Sequence, residues 1–566
     1  MFVDLRSHDL GVTIDADIAI VGAGAAGISL AQTFLGTRTR VCLIESGDVA
    51  HSREVQELAA GENAGQPYFT LDTCRFRRFG GSLNGWPAAL RHAGTVIAPM
   101  TPIDFSVRPW VPESGWPIQV ETLEPYYAHA QSMFRTGPWN YAPEAYEGDR
   151  HFQPFDPDLL VTTIWQSISD FNWGEHWGAS FRCAPNITVL TNATVLDILT
   201  DGTAQVAQGV RVATLVGDAA TVRARLVVLA AGGIENARLL LLSNDRMKAG
   251  LGNHHDVVGR YFMEHPHTFT ASLAFYGDRH WLSAYKDFQV NGSGLRAGIA
   301  TSEAAQRKLS ILNHSAIVVD RFLAAGYRES GGYLAAKELI MQLVTRRLNR
   351  SSFAHLATMF RDLPTVMRGV KEHRAGRTGA LYTRSEQSPN PDSRVTLSNQ
   401  RDRFGLPRAK LSWRLSSLDK VTVRKSVQLI AQEFERLRLG RVTPDRWLVE
   451  DDHTWPEFVR GGYHHLGTTR MGSNPRTSVV NSDCRVHGLA NLYVAGSSVF
   501  PTGSHVNPTL TITALALRLA QHLKAELNRP MRMMTGSELR AGGVRRNVWA
   551  APAANNLPTA VHGGGA

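Results

Sequence analysis

Two distant stretches hold the residue types from which a reactive site is built. Near the amino terminus, Asp17-Ile18-Ala19-Ile20-Val21-Gly22-Ala23-Gly24-Ala25-Ala26-Gly27 leads an apolar, β-branched run into glycines at G-x-G-x-x-G spacing. Such a loop cradles a dinucleotide pyrophosphate. Gly22 permits the tight turn, Gly24 lets the backbone approach the phosphates, and Gly27 lets helix and strand pack closely. Far along the chain, His464 and His465 stand directly before Gly467-Thr468, and Ser504-His505-Val506-Asn507-Pro508-Thr509 follows. A neutral imidazole, with an ordinary pKa of about 6.5, can take a proton at pH 7. An amide can donate to an oxygen that gains negative charge. A histidine pair alone, however, specifies little.

The elements needed to position these residues can be read around them. Ile28 to Phe34 continues the glycine loop as a helix, and Arg40 to Ile44 reads as a second strand ending in Glu45. A carboxylate there accepts from ribose hydroxyls, which favours FAD or NAD over NADP. The alternation of strand and helix then stops. His51 to Thr73 reads as loop, Arg75 to Trp86 is dense in glycine, arginine and aromatics as a loop held near a ligand would be, and Thr122 to Phe134 reads as a helix. Short alternating runs at 187–190, 193–199 and 208–212 suit a meander, and Leu226 to Gly233 reads as a buried parallel strand ending in glycines, followed by a helix from Glu235 to Leu242. Strand-like pieces recur at 269–275, 315–319, 393–397 and 409–413. Leu492 to Gly496 is a further short strand, and Pro508 to Leu523 is a strongly apolar helix that should return to the first domain.

Together the cradle, Phe79-Gly80-Gly81-Ser82, Ala231-Gly232-Gly233-Ile234-Glu235, Gly462-Tyr463-His464-His465-Leu466-Gly467-Thr468, Leu492 to Ser498 and Asn507-Pro508-Thr509 resemble the glucose-methanol-choline (GMC) oxidoreductase family, closest to its bacterial, pyranose-oxidase-like branch. The resemblance implies an α/β fold: a doubly wound, Rossmann-like FAD-binding domain (1–74, 180–264 and 463–530) with an inserted α+β substrate-binding domain. Residues 75–179 would form the flavin loop and an insertion, and 265–462 the substrate domain with a basic helical insert at 321–377; by its drift to Gly, Ala, Asn and Arg, rather than by the resemblance, 531–566 reads as a disordered tail. It also implies that His464, which begins the His-x-x-Gly-Thr turn, lies near the flavin as the base, and that Asn507 is the second catalytic residue. His465 and His505 are read as packing or supporting residues, next in line for a direct role. Cofactor contacts are expected from Gly22, Gly24, Ala26, Gly27, Glu45, Arg78, Gly80, Gly81, Ser82, Asn84, Gly85, Trp86, Val195, Ala231, Gly232, Gly496, Ser497, Pro508 and Thr509. Several relatives carry a histidine just before the tryptophan of the flavin loop, in some of them joined covalently to the flavin. Here the residue is Gly85, so non-covalent FAD is expected.

The reaction implied is oxidation of a hydroxyl to a carbonyl on a sugar, glycoside, aminated sugar or polyol, with the hydride passing to the flavin. Trp86, Trp110 and Trp116 are candidate stacking aromatics for a sugar. A small aliphatic or aromatic alcohol is the alternative substrate, and a non-redox FAD-containing lyase the alternative function. The electron acceptor, oxygen or a quinone or other carrier, is left open.

Bulk properties narrow the classes further. The chain has 566 residues, 43% of them apolar and 19% charged, enough for two or three ordinary globular domains. No apolar run is long enough to span a bilayer, and Met1 to Asp15 holds no signal-like segment, so a cytoplasmic location is expected. Cys42, Cys74, Cys183 and Cys484 form no C-x-x-C pair and suggest neither disulfides nor zinc. His254, His255, His265 and His267 lack carboxylate or cysteine partners at ligand spacing, so no metal is expected. The formal charge of +10 is concentrated between Arg321 and Arg377, where eleven Lys and Arg face four acids among apolar residues. This pattern reads as basic amphipathic helices with a solvated face, with membrane or partner docking as the lesser reading. No nucleic-acid-binding module accompanies it, so nucleic acid is discounted.

Overall fold

The computed structural model describes residues 1–529 apart from 8–10, 86–94, 169–171, 321–330, isolated positions at 149, 218, 278, 451 and 453, and scattered positions between 333 and 377. The expected tail at 531–566 and Trp86 lie outside the described residues.

Numbered along the chain, the first sheet holds β1 (Phe2–Asp4), β2 (Val12–Val21), β3 (Val41–Ile44), β7 (Ile187–Thr191), β8 (Thr194–Thr200), β9 (Ala207–Ala213), β10 (Ala219–Leu229) and β19 (Leu492–Val494). Their order is β1-β7-β3-β2-β10-β9-β8, with β19 also on β10. Pairing is parallel from β1 to β10 and along β19, and antiparallel through the β8–β9–β10 meander. β2 explains how one strand serves two environments. Its first half alternates buried and half-buried residues, while Ile18 to Val21 are all buried because layers cover both faces there.

The second sheet is antiparallel throughout. It holds β5 (Thr95–Ile97), β6 (Leu160–Ile168), β11 (His267–Phe275), β12 (Asp287–Val290), β13 (Ser293–Thr301), β14 (His314–Asp320), β15 (Thr378–Ser385) and β18 (Gly440–Pro444), in the order β18-β11-β15-β14-β13-β6-β5 with β12 on β13. A third, small sheet joins β4 (Gly61–Asn63), β17 (Pro407–Ser412) and β16 (Arg394–Arg401).

The mixed α/β architecture follows the sequence reading, with corrections. His51 to Thr73 is not all loop: Ser52 caps a short helix, Arg53–Glu57, and β4 follows. Because β4 pairs with β17, the third sheet crosses the expected boundary between the cofactor and substrate domains. Within 75–179, β5 and β6 join the second sheet, whereas the Glu124–Met133 helix packs along the carboxy-terminal Thr509–Asn528 helix of the first layer. Of the basic segment, a helix spans Arg350–Arg361. No described helix is long and apolar enough to cross a membrane.

Candidate active site

A single cavity of about 1210 Å³ reaches from the glycine loop to His464 and Asn507. That exceeds the usual volume of roughly 300–1,000 Å³ for one small ligand. Its volume suits a large cofactor and a substrate together.

The cofactor end is built on β2 and the helix Ala25–Gln32. Gly22 has φ +103, and a Cβ there would lie 2.6 Å from the Ala230 carbonyl oxygen. A Cβ on Gly27 would lie 1.9 Å from the Gly22 carbonyl oxygen, so strand and helix can touch only through glycine. Gly24 caps the helix without a side-chain hydrogen bond, leaving first-turn N–H groups to face a ligand. Glu45 is buried in the wall, accepting from the Ala23 N–H at 2.9 Å and the Gly47 N–H at 3.1 Å, and burial raises its pKa. Arg75 and Arg77 also line the cavity, each 2.9 Å from Glu235. Burial alone would raise the Glu235 pKa, but Arg77, Arg75 and Arg238 overcome it and hold the carboxyl far below its ordinary range. These features fit an extended dinucleotide such as FAD.

Most of the expected contact residues line this cavity: Gly22, Gly24, Ala26, Glu45, Gly81, Ser82, Val195, Ala231, Gly232, Gly496, Ser497, Pro508 and Thr509. Gly27 lies behind the cradle. Arg78 and Gly80 are outside the lining, Gly80 donating to the Ala23 carbonyl at 2.8 Å. Asn84 ties the Phe79 carbonyl, at 2.6 Å, to the Gly174 N–H, at 2.9 Å. Gly85 ends the Gly81–Gly85 turn just before the undescribed stretch. Trp110 and Trp116 are not stacking platforms. Their indoles bond the Ile311 carbonyl and the Thr502 hydroxyl, and the aromatic lining comes instead from residues such as Phe269, Tyr382 and Phe458.

The reactive end is assembled by strand-like pairing between 263–267 and 460–466. Met263 and Leu466 exchange backbone hydrogen bonds, and the His267 N–H reaches the Arg460 carbonyl at 2.9 Å. This register sets His265 against His464, whose Nδ1 atoms are 2.8 Å apart. Since His265 Nε2 lies 3.1 Å from the Gly503 carbonyl, which can only accept, Nε2 carries the His265 proton. His265 Nδ1 therefore accepts, His464 Nδ1 donates, and the His464 Nε2 lone pair is left bare. Burial, with the positive charge of neighbours, keeps the His464 pKa well below 6.5; burial and Arg384 bring His265 to about 4.

A buried carboxylate organises the backbone beneath. Glu264 accepts from the N–H groups of His265 at 3.0 Å, Gly462 at 2.9 Å and His464 at 3.0 Å, and from the Tyr68 hydroxyl. Burial raises its pKa to about 7 despite these donors. Asn507 donates its amide to the Val96 carbonyl at 2.8 Å, while its Oδ1 has no partner. Pro508, Thr509 and Ile512 bring the amino end of the Thr509–Asn528 helix to the cavity, with no side-chain cap.

His465 also lines the cavity, with Nε2 unpartnered and its pKa pushed down to about 3 by burial and Arg75. His505 is buried outside the lining, edge-on to Trp165. His254 and His255 are exposed, whereas His265 and His267 flank His464; among the described residues no group forms a metal site. Sequence reasoning missed Glu264, His265, His267, Tyr382 and Arg384 as site residues. One signal was available: His265 and His267 are two apart, which puts them on one side of an extended segment.

One cavity thus joins a glycine cradle that fits a dinucleotide to a histidine with a bare ring nitrogen and to an amide. The amino- and carboxy-terminal models of the GMC oxidoreductase family match this chain over residues 180–267 and 389–516. It is accordingly an FAD-dependent oxidoreductase acting on CH–OH donors. It is similar to the fructose dehydrogenase large subunit of Gluconobacter japonicus, 29% identical over 54% of this chain and 48% of that one, so the chain matches about half the length of that relative. The 6'''-hydroxyparomomycin C oxidase of Streptomyces lividus is 25% identical over 90% of this chain and 92% of its own. The 2-methyl-1,2-propanediol dehydrogenase of Mycolicibacterium austroafricanum is 26% identical over 72% and 74%. Among solved structures, a formate oxidase superposes with a TM-score of 0.53 at 17% identity, covering 92% of this chain and 99% of that one, a likeness of fold.

Proposed function

We propose that the protein oxidises a hydroxyl to a carbonyl on a sugar, glycoside, polyol or related hydroxylated molecule, using non-covalently held FAD. The observation that carries this reading is the relay from the Gly503 carbonyl through His265 to His464, which fixes a bare Nε2 on a residue that lines the cavity. His464 takes the hydroxyl proton there, and burial with neighbouring positive charge keeps it neutral and ready to accept. Asn507, anchored on Val96, keeps a second amide hydrogen to donate to the oxygen as it becomes alkoxide-like. FAD, when bound, supplies the two-electron acceptor for the hydride leaving the carbon. Gly22, Gly24 and the uncapped helix end would hold its pyrophosphate, and Glu45 its ribose. Relatives named for fructose, hydroxyparomomycin C and a small diol support a hydroxylated substrate.

The test is anaerobic mixing of the holoprotein with sugars, glycosides, polyols and simple alcohols while flavin absorbance is followed, then admission of oxygen or a quinone. Bleaching by a hydroxylated substrate is expected, and the second step identifies the acceptor. Flavin colour that no alcohol bleaches would instead mark a non-redox enzyme. Acid precipitation should release yellow flavin into the supernatant; colour kept in the pellet refutes non-covalent binding.

A further inference from the structure

Arg384 carries a charge that no described residue balances. It lies on β15 with its Cα opposite His267 of β11, and it lines the same cavity as His464 and Asn507. Its Nε and Nη1 are sealed from solvent and make no hydrogen bond. Among the described residues its guanidinium faces the ring of Trp165, 6.0 Å away, at the edge of cation–π range. The other arginines of the cavity are already engaged. Arg75 and Arg77 face Glu235, Arg296 pairs with Asp287, and Arg460 donates to the Glu457 and Val459 carbonyls.

A buried, unpaired guanidinium is costly. Burial lowers the Arg384 pKa only to about 10, so it stays charged at neutral pH. Nor does its location point to the cofactor phosphates. Arg384 belongs to the second sheet, whereas the phosphate cradle and its helix belong to the first. It stands instead beside the base: His267, its cross-strand neighbour, has its ring 5.8 Å from that of His464, and Tyr382, two residues earlier on the same face, bonds His267 Nδ1 at 3.3 Å. Adjacent strands are about 4.8 Å apart. A group held by Arg384 and a hydroxyl held at His464 can therefore belong to one small molecule.

Resting on the reading under Proposed function, we propose that Arg384 seats a carboxylate of the substrate, so that the alcohol oxidised is a polyhydroxylated acid of aldonate or uronate type rather than a neutral or aminated sugar. A planar guanidinium matches a carboxylate through two parallel hydrogen bonds. One free arginine balances a single negative charge, which suits a carboxylate better than a phosphate dianion. Occupation has a further consequence at the base. Arg384 is among the positive groups that depress the proton affinity of His464, and a carboxylate on it cancels that field. The correct substrate thus makes His464 more basic on arrival.

The experiment compares D-glucuronate and D-gluconate with D-glucose and D-sorbitol in anaerobic flavin reduction by the holoenzyme. The acids are expected to reduce it with at least 100-fold higher efficiency. In Arg384→Met, of similar length and without charge, that acid-over-neutral ratio should collapse, mainly through the concentration dependence, and Arg384→Lys should restore part of it. Acetate supplies a readout independent of turnover: it should perturb the flavin spectrum of the wild type and not of Arg384→Met. Equal reduction by glucose and glucuronate, with an unchanged ratio in Arg384→Met, overturns the carboxylate assignment. Should no alcohol of any charge bleach the flavin, the oxidation reading itself fails, and the acetate titration still decides whether Arg384 is an anion site.

Discussion

His265 donates to the Gly503 carbonyl and accepts from His464, so two buried imidazoles share one contact of 2.8 Å and only one of them keeps a free lone pair. His464→Ala removes that lone pair. The variant should bind FAD normally and be reduced by substrate 100- to 10,000-fold more slowly, the usual worth of a positioned base. His265→Leu leaves the imidazole of His464 but frees its tautomer and rotation, and a smaller loss, of about tenfold, is expected. Stopped-flow reduction of both variants checks the order; equal rates in wild type and His464→Ala would exclude the assigned base.

The pH dependence should be unlike that of a free histidine. Burial and surrounding positive charge place the His464 pKa well below 6.5, so the deprotonated form needed for catalysis persists into mildly acidic solution. In a plot of reduction efficiency against pH the acid limb should therefore fall well below 6.5. A limb centred near 6.5 would mean that His464 titrates as if in water.

Glu264 links the same segment to stability. Its folded pKa is raised to about 7 against an ordinary 4.5, so the folded state holds the proton more tightly than the unfolded chain. Its contribution is then full below about pH 4.5 and is lost as pH rises through about 7. Glu264→Gln cannot titrate and offers one oxygen to donors that two oxygens now satisfy, so it should be less stable than wild type. The gap should be widest near pH 5 and narrow toward pH 8, by up to about 1.4 kcal/mol per pH unit between the two pKa values. Denaturant unfolding of both proteins at pH 5, 6.5 and 8 measures it, and a gap independent of pH would contradict the assignment.

How much of this site can be read from sequence follows from where its parts lie. Gly22, Gly24, Gly27 and Glu45 act within one strand–loop–helix–strand unit, so local spacing expresses their geometry. His464 and Asn507 are legible only through the resemblance, since nothing near either residue says what faces it. Glu264, Tyr382 and Arg384 are placed by pairings between β11, β15 and the 263–267 and 460–466 segments, whose partners are remote in sequence, and Tyr68 reaches Glu264 from the equally remote stretch after β4. Strands such as β13, with glycine at 294 and 298, lack the β-branched alternation that would announce them. The Ser417–Arg436 helix is a different case: Ser416 and Asp419 form a capping box that was there to be read.

Asn507 tests the second catalytic position. Its Nδ2 donates to the Val96 carbonyl at 2.8 Å. Asn507→Asp exchanges that donor for an oxygen, which sets a carboxylate against a carbonyl and against the developing alkoxide. A fall in reduction rate of 100-fold or more is expected, with a loss of stability of roughly 1–3 kcal/mol for the opposed acceptors. Asn507→Leu should lose the same catalytic contribution without the repulsion. Single-turnover rates and thermal unfolding separate the two effects, and an Asp variant reduced as fast as wild type would remove Asn507 from the mechanism.

Gly81 tests the other end of the cavity. Its φ of +57 is left-handed, and a Cβ on it would lie 2.9 Å from the Gly24 Cα, a backbone atom that cannot turn aside. Gly81→Ala must therefore push the loop off the cradle. FAD loss is expected to dominate: the purified variant should carry substoichiometric flavin and regain absorbance only with excess FAD, while remaining folded by circular dichroism. Gly36→Ala is the comparison, because Gly36 also has positive φ, at +71, but a Cβ there meets nothing within 4 Å. It should suffer backbone strain alone, of about 1–2 kcal/mol, and keep its flavin. If both variants retain FAD equally, the close approach of Gly81 to Gly24 does not shape the cofactor site.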